Sequence, residues 1–173
     1  MKFTLNKTKY IIAAVSLLFV LLDQLIKFVV ANSMQLNESI PIINNVLHIT
    51  YVLNEGAAFS LLSGQSWILC GVTSVVMTVL IYIFVSKNAK HSLFLSSLGL
   101  IISGGIGNLI DRFFNGDVFF KGKVIDYIDF CLIDFAVFNF ADCCITIGTI
   151  LLVIYIFFFD GKKAKGIEEP SDE

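Results

Sequence analysis

Between Gly104 and Asp142 the sequence gathers side chains that can hold and move a proton. In order they are Gly104-Gly105-Ile106-Gly107-Asn108-Leu109-Ile110-Asp111-Arg112, then Val124-Ile125-Asp126-Tyr127, then Phe138-Asn139-Phe140-Ala141-Asp142. Around them the chain is apolar, with a mean hydropathy of +0.85. An ionisable group at the centre of a membrane helix costs on the order of 2.5–3.5 kcal/mol on insertion scales, so such acids are functional candidates by default. Asp126 and Asp142 are the pair expected to meet. Two carboxylates a few ångströms apart cannot both ionise cheaply, and one keeps a proton. The ionised member can then draw a proton from water while the protonated one polarises a carbonyl, which is peptide hydrolysis by general acid and base. Asparagine and arginine side chains beside them can hold a peptide backbone, more strongly where the dielectric is low.

Other chemistries fit the residues less well. No serine or cysteine has a histidine or lysine at a spacing that would activate it as a nucleophile. Neither His48 nor His91 has a partner at ligand spacing, and no CxxC occurs, so no metal or other cofactor is expected. Cys70, Cys143 and Cys144 lie in apolar segments and read as small hydrophobes, while Cys131 falls in a loop. Asp129 and Asp134 are decoys for the acid pair, and either can be simply solvated.

The composition sets the class. Hydrophobic residues make up 57% of the 173 positions and charged ones 15%, against roughly 45–50% and about 25% in soluble domains. That imbalance points to a membrane protein. There is no basic face or run suited to nucleic acid, so no such partner is expected.

The elements that must position the acids follow from the apolar runs. Spans are expected at about residues 11–31, 67–85, 93–112 and 138–159, as one four-helix membrane domain over 1–160. The first could also be a cleaved secretory signal. Asp23 and Lys27 favour a retained helix, because at i, i+4 they can pair on one face. That pair can also be no more than a brace for the helix end. Residues 32–66 break the helical pattern. Val46–Leu53 alternates as a strand lying on the membrane, and Asn54-Glu55-Gly56-Ala57-Ala58-Phe59-Ser60 follows as a turn or close-approach segment. Glycines 99, 104, 105 and 107 suit close helix packing. Asn108 and Arg112 share a helix face, with Asp111 on that side as well, and Asn139 and Asp142 share another. Residues 113–137 read as a long outer loop, and 161–173 as a charged cytoplasmic tail.

Orientation comes from the lysines. With both termini in the cytoplasm, the inside holds Lys2, Lys7, Lys9, Lys87, Lys90, Lys162, Lys163 and Lys165 of the 12 basic residues. Every polar residue singled out then falls at the outer end of its helix or in an outer loop. A proton-coupled carrier using Asp23, Asp111, Asp126 and Asp142 as relay groups is the competing class. Carriers place such acids near the midplane and often show paired repeats, whereas here the acids sit at helix ends and no repeat occurs. A structural assembly factor is the third class, for which neutral replacements of Asp126 and Asp142 would be silent.

Taken in order, Asp23-Gln24-Leu25-Ile26-Lys27, the Asn54–Ser60 segment, the Gly104–Arg112 segment, Val124-Ile125-Asp126 and the Phe138–Asp142 segment resemble the motifs of the lipoprotein signal peptidases, the bacterial type II signal peptidases. The resemblance runs from the first span through the fourth. It implies an all-α membrane protein, a four-transmembrane-helix bundle with a small extracytoplasmic β platform near 36–60 and a long outer loop that can close over the site. It further implies an aspartic endopeptidase of the bacterial cytoplasmic membrane, with its site at the outer leaflet. Such an enzyme cuts diacylglyceryl-modified prolipoproteins just before the lipidated cysteine. Catalytic roles pass to Asp126 and Asp142, and supporting or substrate-binding roles to Asp23, Lys27, Asn54, Gly56, Asn108, Asp111, Arg112 and Asn139. Membrane lipid is the other expected partner, and the chain is expected to be a monomer. Two positions depart from the pattern. Leu53 stands where a polar or basic residue is common, and Ala136 where a proline is expected, which bears on how the loop enters the fourth helix.

Overall fold

The computed structural model describes residues 7–56, 65–86, 89–133 and 135–160. Lys2, Lys87, the Ala57–Ser60 part of the second motif, Asp134 and the 161–173 tail lie outside these residues. The described chain runs α1 (Lys7–Ser33), β1 (Ser39–Ile43), β2 (Leu47–Asn54), α2 (Ser66–Val85), α3 (Ser92–Phe114), β3 (Val124–Asp129) and α4 (Phe140–Tyr155). A 3-10 turn at Cys131–Ile133 precedes α4, and a π turn at Ile156–Asp160 continues it.

The four helices span 27, 20, 23 and 20 residues, counting α4 through Phe159, and each is long and apolar enough to cross a membrane. At 1.5 Å per residue, 20 residues cover about 30 Å, the thickness of a bilayer core. Large apolar side chains cover their outer faces: Leu17, Leu18, Leu21 and Phe28 on α1, Val72, Val75 and Val79 on α2, Ile150 and Val153 on α4. These rows would be a liability in water and are the expected surface in lipid.

Helix α3 is the axis of the bundle, with 44% of its most apolar stretch buried against 11–17% for the others. Its glycines make this possible, because between them they face all three other helices. A Cβ on Gly99 would meet Ile12 and Ser16 of α1, one on Gly105 would meet Met77 of α2, and one on Gly104 would drive into the carbonyl of Ala141 in α4. On Gly107 it would sit 2.6 Å from a carboxylate oxygen of Asp23. In lipid, where helices gain no hydrophobic attraction for one another, close contact of this kind is a main source of association. At the other end of the bundle the buried Lys9 ammonium donates to the carbonyl of Ser86, satisfying the C-terminus of α2.

Three antiparallel strands in the order β1-β2-β3 form a small sheet. Its underside, with Ile49, Tyr51, Leu53, Ile125 and Tyr127, packs on Ile26, Val30 and Met34 at the end of α1. Ile49, Tyr51 and Leu53 alternate along β2 and so share this face. Leu53 packs with this cluster, which accounts for an apolar residue there.

The third strand corrects the reading of 113–137 as loop throughout. Helix α3 runs on to Phe114, and Val124–Asp129 pairs with β2. Four successive residues of β3, Val124 to Tyr127, are buried. A strand covered on both faces lacks the apolar–polar alternation that marks a half-exposed one. The chain then reaches α4 through an isolated bridge between Ile128 and Phe138, with Ala136 two residues before that bridge.

Candidate active site

Asp126 lies in the middle of β3, opposite Val52 of β2, and is 2% exposed. Asp142 is in the first turn of α4 and is half-buried. The start of α4 is held with unusual completeness. A helix leaves its first N–H groups without intrahelical partners, and here side chains from three places accept them. Phe140 N–H donates to Tyr127 Oη of β3 at 3.2 Å, Ala141 N–H to Asp23 Oδ1 of α1 at 3.0 Å, and Asp142 N–H to Asn139 Oδ1 at 3.0 Å. Asn139 and Asp142 form a capping box, since Asn139 N–H also donates to Asp142 Oδ2 at 3.1 Å.

Asn139, completely buried, is the joint between the two acids. Its side-chain Nδ2 donates to Asp126 Oδ1 at 2.6 Å while its backbone N–H holds Asp142. Asn54, at the end of β2, donates to the other oxygen of Asp126 at 2.9 Å, and its own carbonyl oxygen is fixed by the N–H of Gly56. Asn108 of α3 donates to Asp142 Oδ1 at 2.8 Å and accepts from Asn139 at 3.0 Å. Burial, then the neighbouring negative charge of Asp142, pushes the Asp126 carboxyl up to about 7, against the opposing pull of the Asn54 and Asn139 hydrogen bonds and of Lys27. Burial also raises the Tyr127 phenol, which keeps it neutral and able to accept from α4.

Both acids line one cavity of about 550 Å³, together with Asn54, Asn108, Arg112 and Phe135–Phe138. Its far wall is apolar, with Ile145 and Ile147 of α4. Arg112 donates through Nη2 to the carbonyl of Gly56 at 2.8 Å. Its Nη1 is buried and has no hydrogen-bond partner among the described residues. A pocket with an apolar wall, two acids, two amides and a guanidinium suits an extended peptide with a greasy neighbour.

Asp23, Lys27 and Asp111 do not line the cavity. They form a buried ionic cluster behind it, with Lys27 Nζ 2.8 Å from Asp23 and 2.9 Å from Asp111. Asp111 meets the same Lys27 ammonium as Asn108, while Arg112 reaches the cavity, and the Asp23–Lys27 pair does more than brace a helix end. Gln24, which sequence reasoning gave no role, ties the cluster together by donating to Asp111 Oδ1 at 3.1 Å and to the carbonyl of Gly107 at 3.1 Å. An amide inside an apolar span was the available signal.

The decoy Asp129 is spoken for on the sheet, accepting from Thr50 Oγ1 at 2.6 Å, away from the pair. Cys143, read as filler, lines the cavity beside Asp142, whereas Cys70 and Cys144 are buried and Cys131 is exposed. Among the described residues no group of three or more His, Cys, Asp or Glu side chains is placed to hold a metal ion.

This arrangement has relatives. Residues 15–158 match the family model for signal peptidase (SPase) II. A lipoprotein signal peptidase of Halothermothrix orenii is 43% identical over 143 residues, covering 83% of this chain and 92% of that one. Its counterpart in Clostridioides difficile is 42% identical over 147 residues, covering 85% and 95%. Two solved bacterial membrane enzymes, determined by the in meso method, superpose with TM-scores of 0.77 and 0.73 at 30% and 32% identity, covering 96% and 88% of this chain and 94% of each of theirs. The chain belongs to the signal peptidase II family, the multi-pass bacterial membrane peptidases that cleave the signal peptides of lipoproteins.

Proposed function

We propose that the chain is an aspartic endopeptidase in which Asp126 and Asp142 share one proton and hydrolyse the peptide bond just before a diacylglyceryl-modified cysteine. The observation that carries this reading is the way one residue holds both acids: Asn139 donates to Asp126 from its side chain and to Asp142 from its backbone. The proton rests on Asp126, the more deeply buried acid, whose carboxyl titrates near 7. Asp142 is the base. It takes a proton from a water that attacks the scissile carbonyl, while Asp126 donates its hydrogen to the carbonyl oxygen and stabilises the tetrahedral intermediate. The proton on Asp142 then goes to the leaving nitrogen, the C–N bond breaks, and Asp126 recovers its hydrogen as the new carboxyl group forms.

The supporting residues fall into place around that step. Arg112 Nη1, buried beside the acids, is free to donate to a backbone carbonyl of the bound peptide. Asn54 and Asn108 keep the acids facing the cavity. The apolar wall at Ile145 and Ile147 accepts the signal helix or the lipid chains of the substrate. The lysine distribution supports a cytoplasmic position for both termini and an outer-leaflet position for the acids, beside membrane lipid. Four spans around one cavity form a complete site, so a monomer suffices.

The test is cleavage of a lipidated prolipoprotein by the purified parent, with Asp126→Asn and Asp142→Asn beside it. Both variants lose cleavage. Undiminished cleavage by either one removes that acid from the chemistry.

A further inference from the structure

The ionic cluster behind the cavity reaches both acids through the backbone. Asp23 accepts from Lys27 with Oδ2 and from Ala141 N–H with Oδ1, at 2.8 and 3.0 Å. Asp111 Oδ2 accepts from Lys27 and from Ile125 N–H, at 2.9 and 3.2 Å. Ala141 immediately precedes Asp142, and Ile125 immediately precedes Asp126. Each carboxylate therefore grips the peptide unit next to one acid, and the same ammonium grips both carboxylates. The third proton of Lys27 goes to Asn108 Oδ1 at 2.9 Å, which leaves the Asn108 Nδ2 group pointing at Asp142. A lysine has three N–H donors, and all three are used.

We propose that Lys27 is a positioning residue that fixes the separation of Asp126 and Asp142, acting through Asp23 on the α4 side, Asp111 on the β3 side and Asn108 between them. The proposal rests on the dyad reading above. The choice of ions is otherwise hard to explain. Burying charges gives little net stability, and apolar side chains of similar volume hold helices together as well or better. What apolar groups cannot do is accept from the N–H groups of Ala141 and Ile125 or choose the orientation of the Asn108 amide. Directional contacts are what a pair of acids sharing one hydrogen needs, because small displacements of reacting groups cost large factors in rate.

The two arms make the idea testable without removing the lysine. Asp23→Asn and Asp111→Asn keep the shape and one acceptor oxygen, and so retain the fold, but each weakens one grip. In lipid nanodiscs, with a lipidated prolipoprotein as substrate, both lower kcat by tenfold or more and leave KM within about threefold, because neither residue lines the cavity. Lys27→Gln adds a pH signature. The charged groups facing Asp126 are Asp142 on α4, Arg112 and Asp111 on α3, and Lys27 with Asp23 on α1. Lys27 favours the ionised form of Asp126, so its loss moves the alkaline limb of the rate profile to higher pH, and Lys27→Arg brings the limb back. A KM effect with kcat unchanged, or a loss of kcat that only tracks the fraction of folded protein with the limb unmoved, overturns the positioning role. Asp126→Asn run alongside keeps the two ideas apart: turnover surviving in that variant brings down the dyad itself, whereas a dead Asp126→Asn beside fully active Asp23→Asn and Asp111→Asn variants brings down only the positioning.

Discussion

The two ends of α4 are built on different physics. At the start, the N–H groups of Phe140, Ala141 and Asp142 are each received by a side chain, from β3, α1 and the cap residue. At the finish the helix loosens into a π turn at Ile156–Asp160, with Phe157 76% and Phe158 65% exposed. There the rings pack on one another: His91 lies 4.9 Å from both Tyr155 and Phe159, and Phe94 lies 5.0 Å from Tyr155. Hydrogen bonds weaken steeply once their angle or length is wrong, whereas apolar contact is non-directional. One end of the same helix is thus fixed in angle and position, and the other is only kept in place. The fixed end is the one that carries an acid.

The largest expected effect breaks the fixed end at its chemistry. Asp126→Asn and Asp142→Asn lower kcat by roughly 10²–10⁴-fold or more, the range that general acid–base groups supply. Asp129→Asn, whose parent side chain bonds Thr50 on the sheet, leaves kcat within about threefold. A loss at Asp129 as deep as that at Asp126 would mean that the wrong pair has been chosen.

The next effect is at Asn139. Asn139→Ala removes the cap, which costs about 0.5–2 kcal/mol in other helices, and releases the hydrogen bond to Asp126. Turnover falls by about 10²-fold or more, and the thermal midpoint in detergent falls with it. A variant that loses stability but keeps its turnover would mean that the joint between the acids is only a helix cap.

A pH series sharpens the comparison through Asp126 alone. Its carboxyl titrates near 7 in the folded protein, against about 3.9 in an unfolded chain. The folded state therefore holds the proton more tightly, and the associated stability is present below about pH 4 and lost as pH rises toward 7. On the proposed dyad mechanism catalysis follows the same group, so the rate is expected to decline as pH passes upward through about 7. Asp126→Asn cannot titrate there. The difference in thermal midpoint, variant minus parent, should grow in the variant's favour between pH 5 and 8. A difference that stays flat over that interval would remove the raised acid from the account.

Much of this was legible in the sequence, and for physical reasons. The four spans follow from apolar runs, and Asp23, Lys27, Asn108, Asp111, Arg112, Asn139 and Asp142 stood out because a polar group beside hydrocarbon needs a partner. Their division into cavity wall and supporting cluster was not legible. Asp111 and Arg112 are adjacent in sequence, and only packing decides that one turns to α1 and the other to the cavity. Strand β3 was hidden because burial on both faces erases alternation, and its partners on β2 are 70 to 81 residues away in the chain. Gln24 went unused for a similar reason, since its acceptors on α3 are more than 80 residues further on.

The smallest effect probes the loose end. Tyr155→Leu removes ring contacts to His91, Phe94 and Phe159. Aromatic pairs contribute about 0.5–1.5 kcal/mol each beyond the area they bury, and leucine restores part of that area. The thermal midpoint should drop modestly while kcat and KM stay within about twofold of the parent, measured well below the transition. The reason lies in what transmits strain along α4. Its start is held by β3, α1 and its own cap residue, so a small shift at the far end can be absorbed by the intervening lipid-facing turns before it reaches Asp142. If Tyr155→Leu instead lowers kcat tenfold at full occupancy of the folded state, the helix moves as a rigid rod and its two ends are mechanically one site.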